Sequence, residues 1–143
     1  MLAARYQLDD RIAVGGAGDV WRAVDVMLDR PVAVKLLRAE YAQHPETLAR
    51  FRSEASHAAS LTHPGIARVF DYYDGGREHP AFLVMELVDG PSLADVLARG
   101  PLEPIRVMDI VAQAAAGLDA AHRSGWSTAT SSQRICCSLA TAW

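Results

Sequence analysis

The sequence predicts an α+β fold, with a five-stranded antiparallel sheet and one helix in its first part and further helices after it. Three observations predict this. Short β-rich runs punctuated by turn residues fill residues 6–38 and return at 66–87. The apolar period turns helical between Pro45 and Leu61. It turns helical again from Ser92 to His122. Consecutive strands joined by short turns pair antiparallel, which separates this order from an alternating α/β chain.

The elements follow in order. Leu8, Ile12 and Val14, then Val20, Trp21 and Val24, flank the glycine cluster VGGAG, which reads as a turn between two strands. PVAVKLL is a third strand, with Pro31 at a position where a strand tolerates it. Leu48, Phe51, Ala55 and Ala58 recur at helical spacing, and Pro45 suits a first helical turn. THPG at 62–65 stops this helix. IARVFDYY and AFLVMEL are two more strands, joined by the polar loop DGGREHP. DGPS at 89–92 is a turn in which Ser92 caps LADVLARG. A last helix runs from about Glu103 to His122, with Val107, Ile110, Val111, Ala114, Leu118 and Ala121 along one stripe.

Composition bounds the function. Half of the 143 residues are hydrophobic and 22% are charged, as in ordinary globular chains. A net charge of −3 and the lack of a Lys/Arg cluster argue against a nucleic-acid partner. MLAARYQLDD has no apolar core of a secretory signal, and Asp109, Gln113 and Asp119 break the longest apolar stretch. No membrane segment and a cytoplasmic location are therefore expected. The chain holds thirteen Arg, no Asn and one Lys, Lys35. Where Arg is the habitual cation, a lone Lys points to a task that Arg cannot do.

Three stretches carry chemistry. In IAVGGAGDVW, Gly15, Gly16 and Gly18 let a hairpin's backbone approach a bulky anion, with N–H groups facing phosphate oxygens. The same stretch also reads as a plain glycine-rich turn. A dinucleotide-binding turn is excluded, because that loop opens a helix and DVWRAVD continues as a strand. In VAVKLL, strand alternation puts Ala33 and Lys35 on one face. A half-buried ammonium there needs an anionic partner, unless it snorkels to solvent from an edge strand. Glu54 lies three residues after Phe51 and four before Ala58, so it borders the apolar stripe and faces the sheet. It also reads as a surface residue paired with Arg50.

Taken in order, the strand, glycine turn, strand, V-A-V-K strand, Glu-bearing helix and FLVMELVDG strand resemble the N-terminal lobe of a bacterial, eukaryotic-like Ser/Thr protein kinase, over roughly Arg5 to Gly125. The resemblance implies a protein-kinase-like N-lobe with its regulatory helix over residues 1–88, hinge included. The first helices of an incomplete C-lobe would follow over 89–125. It further implies ATP as the bound nucleotide, with protein substrates only in an intact relative. Gly15, Gly18 and Val20 match the second glycine, third glycine and valine of the glycine-rich loop, led by Ile12. The first glycine falls on Ala13, whose methyl stiffens or crowds the loop. Lys35 matches the lysine of the α/β-phosphates, and Glu54 its helical partner. Met85 resembles the residue at the back of the adenine pocket. Glu86, Leu87 and Val88 resemble the hinge, and Val20 and Ala33 would pack on the base.

The last eighteen residues read differently. After Gly125 there is no acidic residue and one basic one, together with both cysteines and two of the three tryptophans. In the family this place holds H-R-D with a downstream Asn, and D-F-G follows; the Asn and the second Asp hold magnesium. H-R-S at 122–124 belongs to the helix end instead. With suitable synonymous codons, Trp126–Ser138 back-translates so that a one-base shift spells L-V-H-R-D-I-K-P-A-N-L-L-L. The expectation is a single-base loss after Gly125, which makes 126–143 an aberrant, disordered tail. Cys136 and Cys137 would then be neither a metal site nor a disulfide. The chain is expected to lack the catalytic base and the magnesium ligands and to be inactive. The bare stripe of the last helix predicts self-association. The alternatives are a non-catalytic nucleotide- or protein-binding module and a product without function.

Overall fold

A computed structural model describes residues 1–15, 18–42, 44–76 and 79–124. Among the described residues nine elements follow one another: β1 Tyr6–Val14, β2 Gly18–Asp25, β3 Arg30–Leu37, α1 Ala39–Ala42, α2 Pro45–Ser60, β4 Val69–Tyr73, β5 Phe82–Glu86, α3 Leu93–Ala98 and α4 Pro104–Arg123. The class is α+β, and the five strands form one antiparallel sheet in the order β1-β2-β3-β5-β4. The first three strands are a meander. The chain then leaves through α1 and α2, lays down β4 at the far edge, and returns to fill the gap with β5.

The chain divides into two compact units. The first is Met1–Ala59 with Arg68–Leu87; the second is Ser60–Ala67 with the chain from Val88 on. Residues 60–67, which the sequence reading left with the first segment, thus group with the second. Leu61 and Ile66 bury against Ala121 of α4, which explains the grouping. Ile66 was expected in a strand; β4 begins only at Val69.

In the first unit, strand alternation sorts the side chains into two cores. Val32 and Val34 of β3 bury with Tyr6, Ala23, Phe82 and Val84 on one face. Tyr73 stacks on Phe82 at 4.4 Å, and Tyr6 meets both rings edge-on. Leu37 and Leu83 bury with Phe51 and Ala55 of α2 on the other face. Each large apolar side chain buried this way contributes about 1.5–3 kcal/mol.

Pro31 is the second residue of β3, not the first. It pairs with Val24 alone, because pairing to β5 starts at Val32, so its missing N–H breaks no bond to that strand. Helix α1 has no counterpart in the sequence reading. In the second unit, Ser92 caps α3 as expected. Its hydroxyl accepts the Asp95 N–H at 3.1 Å while the Asp95 carboxylate accepts the Ser92 N–H at 2.9 Å. Pro104 opens α4, where its absent N–H costs nothing.

Candidate functional site

The site is built on the α2 side of the sheet. Registers place Val20, Lys35 and Leu83 side by side across β2, β3 and β5, and Arg22, Ala33 and Met85 in the next row. Directly opposed residues share a face, so Val20, Ala33, Lys35 and Met85 lie together. Leu83 and Met85 belong to the core that contains Phe51 and Ala55 of α2, which fixes this as the helix side. Lys35 therefore points toward α2, as the alternation of VAVKLL requires.

There it meets Glu54. Lys35 Nζ donates to Glu54 Oε1 at 3.3 Å, and the side chains are 15% and 16% exposed. The ammonium also stands 5.7 Å from the centre of the Phe51 ring, one turn before Glu54. Burial pushes the Glu54 carboxyl above its usual range, and the charge and hydrogen bond of Lys35 only partly oppose this. The alternative of a Glu54–Arg50 surface pair is not what forms.

The glycines have steric reasons to be glycines. A Cβ on Gly18 would lie 2.3 Å from the Leu36 carbonyl oxygen, and one on Gly15 would lie 2.8 Å from the Gly18 oxygen. The Gly15 N–H donates to the Gly18 carbonyl at 3.0 Å and closes the hairpin, so this donor is already used. Gly16 lies outside the described residues, as do residues 126–143. Ile12, on β1, is exposed.

At the far end of the row, Met85 opposes both Ala33 and Val69. Glu86 closes β5. Its N–H donates to the Arg68 carbonyl at 2.8 Å, and its carboxylate accepts the Arg68 N–H at 3.1 Å. Val88 is half-buried and belongs to the second unit. Sequence reasoning passed over Asp19, one residue beyond Gly18. Its carboxylate accepts from Arg38 at 3.0 Å and from Arg11 at 3.5 Å. No local pattern announces partners that lie 8 and 19 residues away.

Among the described residues, no group of three or more His, Cys, Asp or Glu could hold a metal ion, and no helix is long and apolar enough to cross a membrane.

Comparison with known proteins gives this arrangement a family. The protein kinase domain matches residues 6–127. The serine/threonine-protein kinase PknA of Mycobacterium tuberculosis is 47% identical over 128 residues, which cover 87% of this chain and 30% of PknA. PknB of the same organism is 42% identical over 129 residues, covering 87% of this chain and 20% of PknB. The chain thus spans less than a third of the length of the curated relatives it matches. Among solved structures, the M. tuberculosis PknI kinase domain superposes with a TM-score of 0.70 at 29% identity, covering 85% of this chain and 49% of that one. A glycine hairpin, a strand lysine and a helical glutamate, in this order on this sheet, place the chain in the protein kinase domain family, among relatives that are bacterial serine/threonine kinases.

Proposed function

We propose that the first unit is the nucleotide-binding half of a Ser/Thr protein kinase and binds ATP. The observation that carries this is the 3.3 Å contact between Lys35 and Glu54, on the face that also bears Val20, Ala33 and Met85. Lys35, held by Glu54, would take the α/β-phosphates. Val20 and Ala33, with Ile12, would cover the base, and the backbone of Glu86 would read its edge. Gly15, Gly16 and Gly18 would let the hairpin approach the phosphates. The parent activity is phosphoryl transfer from ATP to protein Ser or Thr.

This chain as written does not complete that reaction. The family's base is the Asp of H-R-D, and its magnesium is held by a downstream Asn and the Asp of D-F-G. The chain contains no Asn, no H-R-D and no D-F-G. The residues present therefore do not fit the metal, and no step is derived through it. The match to the kinase domain stops at residue 127, where the composition changes, which supports the frameshift reading of 126–143. The nucleotides around the Gly125 codon test that reading directly. A positioned base alone is worth roughly 10²–10⁴ in rate.

An intact Lys35–Glu54 contact beside an absent catalytic loop also fits a non-catalytic nucleotide-binding module. Thermal unfolding with and without ATP tests binding. The parent chain should be stabilised, and Lys35→Met should not. Transfer of labelled phosphate to any protein by the purified chain would sink the claim of inactivity. Of the α4 stripe, Val107 and Val111 are exposed while Ala121 buries against Leu61 and Ile66, and self-association through the exposed part is expected. A monomeric profile in size-exclusion chromatography would count against it.

A further inference from the structure

We infer that Asp19 is a positioning residue that braces the glycine hairpin from the face opposite the nucleotide, an inference that rests on the ATP-binding reading above. Asp19 is paired with Leu36 and Val14, and Leu36 packs with the Tyr6–Phe82 core. Val20, the next residue, opposes Lys35. Alternation therefore puts the Asp19 carboxylate on the far side of the sheet from Lys35 and Glu54.

Its two oxygens take two different arginines. Arg38, one residue beyond β3, donates to Oδ1 at 3.0 Å, and Arg11 of β1 lies 3.5 Å from Oδ2. One carboxylate thus ties both strands of the hairpin to the end of a third. Arg38 also lies 4.0 Å from the Glu40 carboxylate. The backbone needs such a tie here. The β1–β2 register shifts on both sides of Arg11, so regular pairing is interrupted just before the last two pairs of the hairpin, Ala13–Val20 and Val14–Asp19. Asp19 is 19% exposed, which shields the pairs from part of the solvent screening that weakens open surface pairs. A hairpin held in place loses less freedom when a ligand's phosphates dock on it. Only ligands that carry phosphates should feel the brace.

The test is calorimetric titration of the full chain with ATP and, separately, with adenosine. Parent, Asp19→Asn, Arg38→Gln and the double variant are compared. Each single variant should raise the Kd for ATP about 2–5-fold and leave adenosine unchanged. The double variant should be no weaker than Asp19→Asn, because that change already removes the Arg38 contact. High salt should shrink the difference between parent and Asp19→Asn. Equal weakening of both ligands, tighter ATP binding, or additive losses in the double variant overturn the brace. So does a parent that binds ATP with a Kd that Asp19→Asn leaves unchanged. A parent that binds neither ligand overturns the ATP-binding reading and the brace with it.

Discussion

The two faces of the sheet each hold a charged pair, and they treat it in opposite ways. On the outer face Asp25 is 0% exposed, yet its carboxyl is held below the usual carboxylate range. Arg5 grips both of its oxygens, at 2.7 and 2.8 Å, and the Met27 N–H donates to it at 3.2 Å. Those bonds outweigh burial. On the inner face Glu54 retains some exposure, yet its carboxyl is pushed up, because a single 3.3 Å contact with Lys35 does not offset burial. One pair is saturated by its surroundings. In the other, burial outweighs what Lys35 offers the carboxylate. Pairing outweighs burial on one face, and burial outweighs pairing on the other.

Substitutions can break or sharpen this contrast. The largest effect is expected on the packed outer face: Phe82→Ala removes the ring between Tyr6 and Tyr73 and should cost about 3–5 kcal/mol, read as a lower urea midpoint at constant slope. Next comes Gly18→Ala, which sets a methyl against the Leu36 carbonyl and should cost about 1–3 kcal/mol by the same measurement.

Acid separates the two pairs by sign. A depressed folded pKa means that Asp25 stabilises the fold above the unfolded carboxylate range and loses this as pH falls through its folded value. A raised folded pKa means that charged Glu54 costs stability at neutral pH, and this cost is relieved as pH falls through its folded value. Thermal midpoints recorded from pH 7 downward should show both trends. Asp25→Asn should start lower and lose the acid-induced drop. Glu54→Gln should lose the relief on mild acidification. A Glu54→Gln profile that parallels the parent would erase the contrast.

Much of this was legible in the sequence. Short apolar runs bounded by turn residues gave all five strands, and the parity of Ala33 and Lys35 gave their common face. The interval from Phe51 to Glu54 gave a carboxylate at the edge of the buried helical stripe, but local pattern left a Glu54–Arg50 pair open, and the Lys35–Glu54 meeting came from the family resemblance. Other features had no local signal. Helix α1 is four residues long, too short to display a period. The start of β4 was misplaced because Ile66 is apolar like a strand residue but packs with Leu61 and Ala121. The Arg5–Asp25 grip joins residues 20 apart, each in a stretch that reads as ordinary surface charge.

The order β1-β2-β3-β5-β4 also has a consequence for how the chain is made. During synthesis the meander can zip up as soon as residue 37 leaves the ribosome. Beta-4 emerges next, with no neighbour to bond, and must wait as a bare edge until residues 82–86 arrive and slide in between. For that interval the facing borders of β3 and β4 both stand open, when a chaperone would have most to grip.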